Sequence, residues 1–251
     1  MASTKQTMDL NDPDRLNDIR SLIHRKKFLK QFYEEIYNKF RDCLQRAPID
    51  GIALELGSGA GFIKDIIPEI ITSDVIPYKG IDKVVDATKM PFADEGLRAI
   101  LMFDVFHHIR DVEAFFNEAH RCLKPGGRIF IVDEYAGLIS YPIYKYLHHE
   151  PYNAKAKEWR FESKGPLSDA NGALSWIVFQ RDQKKFQSLF PGLKVVNYEP
   201  HSPLRYWIAG GLKKWALAGE KAFPLVTRVD RLLTKISPRF GSFVDIEIVR
   251  A

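Results

Sequence analysis

The chain has 251 residues and a net charge of +5, and its 45% hydrophobic and 27% charged content is that of a globular protein with one substantial core rather than a disordered or fibrous chain. The N-terminus lacks an apolar signal segment, no apolar run approaches the ~18 residues of a membrane span, and Cys43 and Cys122 are too few for a disulfide framework. We therefore expect a cytoplasmic protein with two free thiols.

The first predicted element is helical and covers residues 14–47. Apolar residues recur there at offsets of three, four, seven and eleven, which is the spacing of one helix face, and Pro48 ends the pattern. Lys and Arg outnumber Asp and Glu by nine to five over residues 13–47. We interpret this excess as a solvated helix face, with an anionic partner or a membrane surface as the alternative. The pattern predicts one long or one broken helix.

The next part of the chain, up to residue 134, alternates between short apolar runs and segments with helical spacing. Such an alternation favours a parallel sheet that is covered on both faces. The predicted helices span 62–68 and 111–123, and the glycines of Lys124-Pro-Gly-Gly127 end the second one because Gly suits a left-handed helix cap. The predicted strands are 51–56, 69–74, 81–86, 98–103 and 128–133.

The C-terminal part is less regular. Residues 135–180 hold several aromatic side chains and no clean period, which is typical of a functional insertion. Residues 204–240 carry eight Lys and Arg against two Asp and Glu, and Pro224 divides them into two amphipathic patterns. The remaining predicted elements are helices at 181–190, 204–218 and 225–236 and strands at 193–199 and 243–249.

A glycine-spaced turn, Gly57-Ser-Gly-Ala-Gly61, follows the first predicted strand. Glycine lets the backbone approach a ligand closely, and the N-terminus of a following helix would offer its amides. Dinucleotide-binding folds use G-x-G-x-x-G at this place to seat a pyrophosphate, whereas this chain has its third glycine one residue early and Glu55 before the turn. A carboxylate there is unfavourable for a pyrophosphate and suits an ammonium or sulfonium cation.

Two acidic residues, Asp74 and Asp86, end the second and third predicted strands. A carboxylate at the end of strand two can accept hydrogen bonds from both hydroxyls of a ribose. One at the end of strand three can accept from an adenine amino group. Either residue alone is equally explained as a turn former, because Asp is favoured in turns. Together with the glycine turn they predict a nucleoside-binding site.

Two further segments complete the pattern, Phe103-Asp-Val-Phe-His-His108 and Leu123-Lys-Pro-Gly-Gly-Arg-Ile129. In this order the segments resemble the class I S-adenosylmethionine-dependent methyltransferases, especially the small-molecule branch that includes the ubiquinone and menaquinone methylases. The resemblance covers about residues 50–134. It implies S-adenosylmethionine as the cofactor. It also implies a Rossmann-like, doubly wound α/β sheet in the order 3-2-1-4-5-7-6, mostly parallel with an antiparallel last strand.

The resemblance also implies roles for individual residues. The glycine turn would lie against the methionine part of the cofactor, with Glu55 supporting the loop, while Asp74 would hold the ribose and Asp86 the adenine amine. Residues flanking the adenine or lining the cofactor complete the set. The implied cofactor-binding residues are Glu55, Gly57, Ser58, Gly59, Gly61, Asp74, Asp86, Ala87, Met90 and Phe103.

Histidines are the candidate acid–base groups, because imidazole titrates closest to neutral pH. We predict His148, His149 and His108 as candidates for a general base, which is needed only if the acceptor must lose a proton during attack. His107 and His108 stand at a place where related sequences often have a histidine that only shapes the pocket floor. The run His148-His-Glu150 suggests a metal, but neighbours in sequence rarely converge on one ion without further ligands. We therefore predict no metal site.

We expect a single methyltransferase domain over residues 1–251. Its function would be methyl transfer from S-adenosylmethionine to a small-molecule or lipid-like acceptor by in-line displacement. The alternatives are a non-catalytic nucleoside-binding protein of the same fold and, disfavoured by the glycine spacing and by Asp86, a nicotinamide-dependent oxidoreductase. The predicted parts are an N-terminal helical lid at 14–47, a cofactor-binding core at 48–134, acceptor-pocket and lid insertions at 135–192 and 204–240, and the last strand at 243–249.

The partner is predicted to be a small molecule or a lipid. In the first C-terminal helix, the apolar stripe of Ile208, Leu212 and Trp215 lies beside Lys213 and Lys214, a pattern that permits contact with a membrane surface as an alternative to ordinary packing. A nucleic-acid substrate is disfavoured, because no Asn-Pro-Pro-Tyr signature follows strand four and no basic, aromatic-interleaved platform stands out. The oligomeric state is left open.

Overall fold

The computed structural model describes residues 15–148, 150–162 and 170–251, which are organised around a seven-stranded sheet. The strand order is β3-β2-β1-β4-β5-β7-β6, with β7 antiparallel to both of its neighbours and the remaining pairs parallel. This confirms the predicted order and the antiparallel last strand. The strands are β1 Ile52–Leu56, β2 Ile71–Asp74, β3 Lys83–Val84, β4 Leu97–Phe103, β5 Leu123–Glu134, β6 Leu193–His201 and β7 Phe243–Arg250.

Helices cover both faces of the sheet because its central strands are apolar on both sides. In β4, Ile100 and Met102 belong to one buried core while Ala99 and Leu101 belong to the other, since successive side chains of a strand point to opposite faces. The helices of the described residues are α1 Arg15–Arg25, α2 Lys27–Arg46, α3 Val112–Cys122, α4 Tyr141–Tyr146, α5 Leu174–Trp176, α6 Gln183–Leu189, α7 Arg205–Ala209 and α8 Phe223–Ile236.

The N-terminal segment forms a broken helix, which is one of the two predicted forms. Lys26 separates α1 from α2, and its Nζ donates hydrogen bonds to the backbone carbonyls of Gly211 and Lys213 at 2.6 and 2.9 Å. α2 packs its buried aromatic stripe, including Phe32 and Phe40, on one face of the sheet. The same lysine thus ties the N-terminal helices to the loop after α7.

Two predicted elements of the core are shorter than expected. The helix expected over 62–68 is a single 3-10 turn, Ile63–Asp65, because the following Pro68 disfavours helical backbone at the residue before it. The third strand contains only two residues at the sheet edge, where it pairs with β2 alone. The glycine turn is therefore followed by loop structure and not by the N-terminus of a long helix.

The prediction of a helix over residues 204–218 is wrong beyond the first turn. α7 ends at Ala209, because Gly210 and Gly211 adopt the left-handed backbone conformation with φ of 71° and 48°. The loop that follows leaves Lys213, Lys214 and Trp215 exposed. Leu212 and Trp215 therefore do not continue the helical stripe that begins at Ile208.

α8 forms as predicted, but its apolar stripe faces solvent. Its buried residues are Thr227 and Asp230. Asp230 accepts hydrogen bonds from the backbone N–H of Leu204 at 2.9 Å and from Arg205 Nε at 2.8 Å. These polar contacts and the packing of Phe223 and Val226 on the core together set which side of the helix faces inward. The apolar residues left exposed on the other side are Leu225, Val229, Leu232 and Ile236.

Within residues 135–148, 150–162 and 170–181 there is little regular structure. α4 lies in the first part, and α5 continues into a π-helical turn, Ile177–Arg181, that packs in the core with α3. Among residues 15–148, 150–162 and 170–251, every helix falls short of the length and apolar content that would carry it across a bilayer. Cys43 and Cys122 are buried and free, as predicted.

Candidate functional site

One cavity of about 640 Å³ opens at the carboxyl ends of β1, β2 and β4. Open α/β sheets bind their ligands at this edge, and the volume is within the ~300–1,000 Å³ of small-molecule sites. Predicted cofactor residues form much of its wall, and α1 and α2 supply the opposite side. The predicted residues in its lining are Glu55, Gly57, Ser58, Gly59, Gly61, Asp74, Asp86, Ala87 and Phe103.

Two features of the glycine turn require glycine: a left-handed backbone conformation and, at Gly57 and Gly61, neighbouring atoms that leave no space for a Cβ. Gly57 has φ of 68°, and a Cβ there would overlap the methyl groups of Val105. Gly59 has φ of 45°, and a Cβ there would meet no side chain within 4 Å, so its outer side is open to the cavity. At Gly61, a Cβ would lie 2.5 Å from the hydroxyl oxygen of Tyr37. The backbone of the turn can therefore contact a ligand directly.

Asp74 links the glycine turn to the end of β2. Its Oδ2 accepts from the backbone N–H of Gly59 and its Oδ1 from that of Ile76, both at 3.1 Å. Burial raises the pKa of the carboxyl group, and these N–H donors, with that of Val75, oppose the shift. Each oxygen keeps a second lone pair, which is what two ribose hydroxyls would use.

Asp86 occupies the expected place but is already engaged in a turn. Its Oδ1 accepts from the backbone N–H and the hydroxyl of Thr88 at 2.8 and 2.6 Å, and its Oδ2 lies 3.1 Å from Arg110 Nη2. It lines the cavity together with Ala87. Met90 does not reach the cavity: its side chain is buried in the sheet core and its N–H donates to Glu118 at 2.8 Å. The expectation that Met90 flanks an adenine therefore finds no geometric support.

Glu55 is a buried carboxylate in the cavity wall. Its side chain is 3% exposed, and its Oε2 has no hydrogen-bond partner among the described residues. Burial raises its pKa to about 7; the hydroxyl of Ser58 lowers it, and the charge of Asp74 raises it further. A buried oxygen of this kind would be stabilised by a cationic group of a ligand.

The N-terminal helices complete the cavity. Its lining includes three residues of α1 and two of α2, namely Leu16, Ile19, Ile23, Tyr33 and Tyr37. Arg20 of α1 donates from Nη2 to the carbonyl oxygen of Gly61 at 2.9 Å, which fixes α1 against the glycine turn. A ligand bound against the turn would be covered by these helices.

Beside this cavity, side chains from distant parts of the chain converge on a second polar site. We call it the histidine–carboxylate cluster. It brings together groups at the ends of β4 and β5 with groups that follow α4. Its members are Asp104, His107, His108, Glu134, His148 and Glu150. Of these, Asp104 and His108 also line the cofactor cavity, so the two sites adjoin.

His107 is fixed on both sides. Its Nδ1 lies 2.6 Å from Asp133 Oδ1, and its Nε2 lies 3.2 Å from Glu150 Oε2. The hydroxyl of Ser175 donates to the other oxygen of Asp133. Burial opposes a charge on His107, but Asp133, Glu150 and Glu134 outweigh it and raise its pKa well above 6.5. The ring is thus oriented with Nδ1 toward Asp133 and Nε2 toward the cluster.

Glu134 lies at the carboxyl end of β5 and is 5% exposed. Burial raises its pKa well above the usual value; His107 opposes that shift, and Asp104 and Glu150 add to it. His148 Nδ1 lies 3.8 Å from Glu134 and 3.7 Å from Glu150. Asp104, at the end of β4, has φ of 61°, a conformation that Asp tolerates better than most residues.

The structure places two of the three predicted catalytic histidines at or beside the cavity. His108 lies at the cavity, 3.6 Å from Glu150, and His148 lies in the adjoining cluster. His149 lies outside the described residues. Asp104, Asp133 and Glu134 were not among the predicted site residues. Their position at the ends of β4 and β5 is the signal that could have found them, because ligands bind at that edge.

The cavity fits a nucleoside that carries a cationic amino-acid tail. It offers an open glycine backbone at Gly59, a two-oxygen acceptor at Asp74 and an unsatisfied buried carboxylate oxygen at Glu55. S-adenosylmethionine has groups that match each of these: an adenosine with two ribose hydroxyls, an ammonium and a sulfonium. The residues present therefore fit this cofactor.

Comparison with known proteins agrees with this fit. Residues 54–131 match the family described as "Methyltransferase domain". A segment of 56 residues is 39% identical to the ubiquinone/menaquinone biosynthesis C-methyltransferase UbiE of Desulfotalea psychrophila, covering 22% of this chain and 23% of that protein. A segment of 47 residues is 40% identical to the protein YafE of Escherichia coli K12, covering 19% and 23% of the two chains. The matched segments thus span about a quarter of these curated relatives.

Among solved structures, the chain is similar to one in a complex between the Haloferax volcanii Trm112 methyltransferase activator and a putative methyltransferase. The TM-score is 0.50 at 15% identity, and the alignment covers 92% of this chain and 97% of the other. At 15% identity this likeness shows the fold alone. It covers 92% of the chain, far more than residues 54–131, which the family model matches.

Proposed function

The chain carries a methyltransferase domain of the class I S-adenosylmethionine-dependent family, and we propose that it transfers the methyl group of this cofactor to a small organic acceptor. The observation that supports this most directly is the pairing of Gly59 with Asp74 next to the buried, unsatisfied Glu55. That arrangement suits a nucleoside with a positively charged tail. A nicotinamide dinucleotide would place a pyrophosphate there, and the Glu55 carboxylate disfavours a second anionic group.

When bound, the cofactor supplies a sulfonium methyl group that is already electrophilic. The residues of the chain then have to hold the acceptor in line with it and exclude water, a proximity contribution that can reach ~7–11 kcal/mol. The glycine turn and Asp74 orient the nucleoside, and α1 and α2 cover it. Asp104 and His108, which line the cavity and belong to the cluster, place polar groups where an acceptor would meet the cofactor.

We propose that the acceptor occupies the space beside the histidine–carboxylate cluster. Three tyrosines lie near its carboxylates: Tyr33, Tyr144 and Tyr206 have pKa values raised by burial and then by the nearby carboxylates, so their hydroxyls stay neutral. An acceptor with one polar end and an apolar body suits this environment. His108 and His148 remain the proposed acid–base groups for an acceptor that must lose a proton.

We further propose that the acceptor is lipid-like or is delivered from a membrane surface. α8 exposes Leu225, Leu232 and Ile236 at 64%, 59% and 67%. The exposed charges of that helix are Arg228, Arg231 and Lys235, while its acidic residue, Asp230, is buried against Arg205. An exposed apolar stripe flanked only by cations suits the surface of an anionic membrane.

Cytoplasmic location is likewise proposed, and the two free, buried cysteines agree with a reducing compartment.

The proposal is tested by calorimetric titration of purified protein with S-adenosylmethionine, S-adenosylhomocysteine and NAD, using Asp74→Ala and the matched control Asp50→Ala. Asp50 is an exposed residue paired with Lys124. We expect micromolar binding of the two sulfur nucleosides, loss of that binding in Asp74→Ala alone, and no binding of NAD. Labelled methyl transfer to candidate acceptors then follows. Binding of NAD, or of no nucleoside, would refute the proposed function, and nucleoside binding without turnover on any acceptor class would favour the non-catalytic alternative.

A further inference from the structure

The histidine–carboxylate cluster contains three overlapping groups of metal-type donors. In each group, one ligand atom per residue lies within 4.8 Å of the others. His107, Glu134 and Glu150 each belong to two of the groups, so the groups form one continuous set. The three groups are His107, His108 and Glu150; Asp104, His107 and Glu134; and Glu134, His148 and Glu150.

The distances between these donors are those of ligands around one ion. Tetrahedral coordination with bonds of ~2.0–2.2 Å places neighbouring ligand atoms roughly 3.3–3.6 Å apart. Glu150 lies 3.2 Å from His107 Nε2, 3.6 Å from His108 Nε2 and 3.7 Å from His148 Nδ1. His148 Nδ1 lies 3.8 Å from Glu134 Oε1. Most of these distances are longer than the ~2.7–3.2 Å of a hydrogen bond. They are close to the spacing expected between two ligands of the same ion.

Glu134 provides a second and independent observation. Its side chain is 96% buried, and within residues 15–148, 150–162 and 170–251 it is offered no hydrogen bond; its ion-pair contact there is His148 at 3.8 Å. Its Oε2 occupies the position that a Cβ on Gly172 would need, so the chain has made room for the carboxylate. A buried carboxylate is costly unless a cation or donors compensate it. Neither Glu134 nor Asp133 pairs with a Lys or Arg among the described residues.

The surroundings of His107 also match those of a metal ligand. Metal-bound histidines usually donate their second ring N–H to a carboxylate, which fixes the tautomer and orients the ring. Asp133 accepts from Nδ1 at 2.6 Å and is itself held by the hydroxyl of Ser175. With Nδ1–H donated to Asp133, Nε2 faces Glu150 and the cluster, where a bound ion would replace the proton that Nε2 shares with Glu150.

We propose that His107, Glu134, His148 and Glu150 bind one divalent transition-metal ion, with Asp104 and His108 on the side that faces the cofactor cavity. A mixed set of imidazoles and carboxylates suits Zn²⁺, Fe²⁺ or Mn²⁺ better than Mg²⁺ or Ca²⁺, which prefer oxygen ligands alone. This revises the sequence-based expectation of no metal site. The four donors come from three segments that are far apart in sequence, which the adjacent pair His148-His149 did not reveal.

The ion would select the acceptor class, and this part of the inference rests on the proposed methyl transfer. An ion beside the cavity would take an acceptor oxygen as a further ligand and lower the pKa of that hydroxyl, so the ion, rather than His148 as a free base, would activate the acceptor. The hydroxyl proton is released to water, the new O–CH₃ bond forms as the S–CH₃ bond breaks, and the cofactor leaves as the neutral thioether. The acceptor class is therefore a small molecule with an oxygen able to bind a metal.

The test uses full-length protein that has been treated with a chelator and dialysed. Calorimetry with Zn²⁺ and with Mn²⁺ measures binding, and Tm is recorded with and without each ion. The variants are Glu134→Gln and Glu150→Gln, with Glu158→Gln as the matched control at an exposed residue. The wild type and the control should bind one ion per chain and gain roughly 5–10 °C in Tm at a hundredfold excess over Kd. Both cluster variants should lose at least tenfold in affinity and most of that gain.

Glu134→Gln distinguishes loss of a ligand from a folding defect, because the raised pKa of Glu134 means that the amide replaces a neutral carboxyl group of similar size. The Tm of the metal-free variant should therefore stay close to that of the wild type even as the response to metal is lost. Absence of binding by the wild type, or equal binding by both cluster variants, would overturn the proposal. S-adenosylhomocysteine is titrated into the same samples. Metal binding without nucleoside binding would then count against the proposed methyl transfer alone, and nucleoside binding without metal binding against the metal site alone.

Discussion

The imidazole of His107 and the carboxylate of Asp133 lie 2.6 Å apart, and both side chains are almost completely buried. They come from adjoining elements at one edge of the sheet: Asp133 from β5, and His107 from the 3-10 turn Phe106–His108 after β4. Because β4 and β5 are parallel neighbours, their carboxyl ends bring the two residues together. The pair fixes which nitrogen of His107 faces the candidate acceptor site.

Asp133→Asn should weaken metal binding without affecting the cofactor. The amide keeps the size of the side chain but is a poorer acceptor for the Nδ1–H of His107, and it can present an N–H that favours the wrong tautomer. Loss of such a supporting partner typically costs ~10–100-fold in metal affinity. Calorimetry with Zn²⁺ should show this loss, while the Kd for S-adenosylhomocysteine stays within about twofold of wild type.

Asp230→Asn serves as the comparison for Asp133→Asn, because it makes the same change at another buried carboxylate, which accepts from the N–H of Leu204 and from Arg205 Nε and is not a member of the cluster. It should lower stability by weakening the pair with Arg205 and should leave metal affinity unchanged. Equal metal affinity in wild type and Asp133→Asn would contradict the positioning role.

Cofactor binding should depend on pH through Glu55. Its pKa of about 7 in the free protein means that the carboxyl is largely protonated below pH 7 and must release its proton to pair with a cation. The affinity for S-adenosylmethionine should therefore be fully present above pH 7 and fall by roughly tenfold per pH unit as the pH drops from 7 toward 5. Calorimetry at pH 5.5, 6.5 and 7.5 measures the slope, and buffers of different ionisation enthalpy count the released proton.

Two other titratable groups, Tyr37 and Asp74, lie near Glu55. Tyr37 has its pKa raised well above 10 by burial, so it does not titrate in this window. Asp74 also has a raised pKa, so Glu55→Gln is the decisive variant. It should bind more weakly at pH 7.5 and lose most of the pH dependence. A wild-type profile that is flat from pH 5.5 to 7.5 would contradict the prediction.

The exposed stripe of α8 should bind anionic membranes. Each Lys or Arg near an anionic surface contributes ~1 kcal/mol, so Arg228→Glu with Arg231→Glu should weaken binding to phosphatidylserine-containing vesicles by at least about 30-fold. Lys155→Glu with Lys157→Glu is the matched control, since both lysines are exposed and lie in another part of the chain. Vesicle sedimentation measures the effect.

Leu225→Ser with Leu232→Ser separates the apolar from the electrostatic contribution of α8. This pair should weaken binding to the same vesicles without changing its salt dependence. Lys213→Glu with Lys214→Glu tests whether the exposed loop after α7 belongs to the same surface. Absence of vesicle binding by the wild type would exclude this surface as a membrane contact.

How far the sequence predicts the structure depends on the range of the interactions. The strand order and the positions of Gly57 and Asp74 follow from short segments, each with its own local pattern and a fixed place in the parallel sheet. The orientation of α8 does not follow from its local pattern, because the buried pair of Asp230 with Arg205 and the packing of Phe223 and Val226 on the core turn the apolar stripe outward. The helix over 204–218 also fails locally, at the left-handed Gly210.

The histidine–carboxylate cluster could not be read from sequence neighbours. Glu134 is 27 positions from His107, and Glu150 is a further 16 along the chain, in a segment without a regular period. Their convergence depends on how residues 135–148 and 150–162 fold at the edge of the sheet. The positions of Asp104 and Glu134 at strand ends could have predicted that they lie at the site. No local sequence pattern predicts that Glu150 lies between three histidines.

Gly57→Ala should reduce both stability and cofactor affinity. The φ of 68° costs a non-glycine residue about 1–2 kcal/mol, and the added Cβ would overlap Val105. The turn would have to shift away from β4, which moves Gly59 relative to Asp74 and should weaken S-adenosylmethionine binding by at least tenfold. Gly219→Ala is the matched control, because a Cβ there meets nothing within 4 Å. Adding Val105→Ala to Gly57→Ala should restore part of the affinity by removing the overlap but not the backbone strain. If the single variant binds as tightly as wild type, the glycine turn does not position the cofactor.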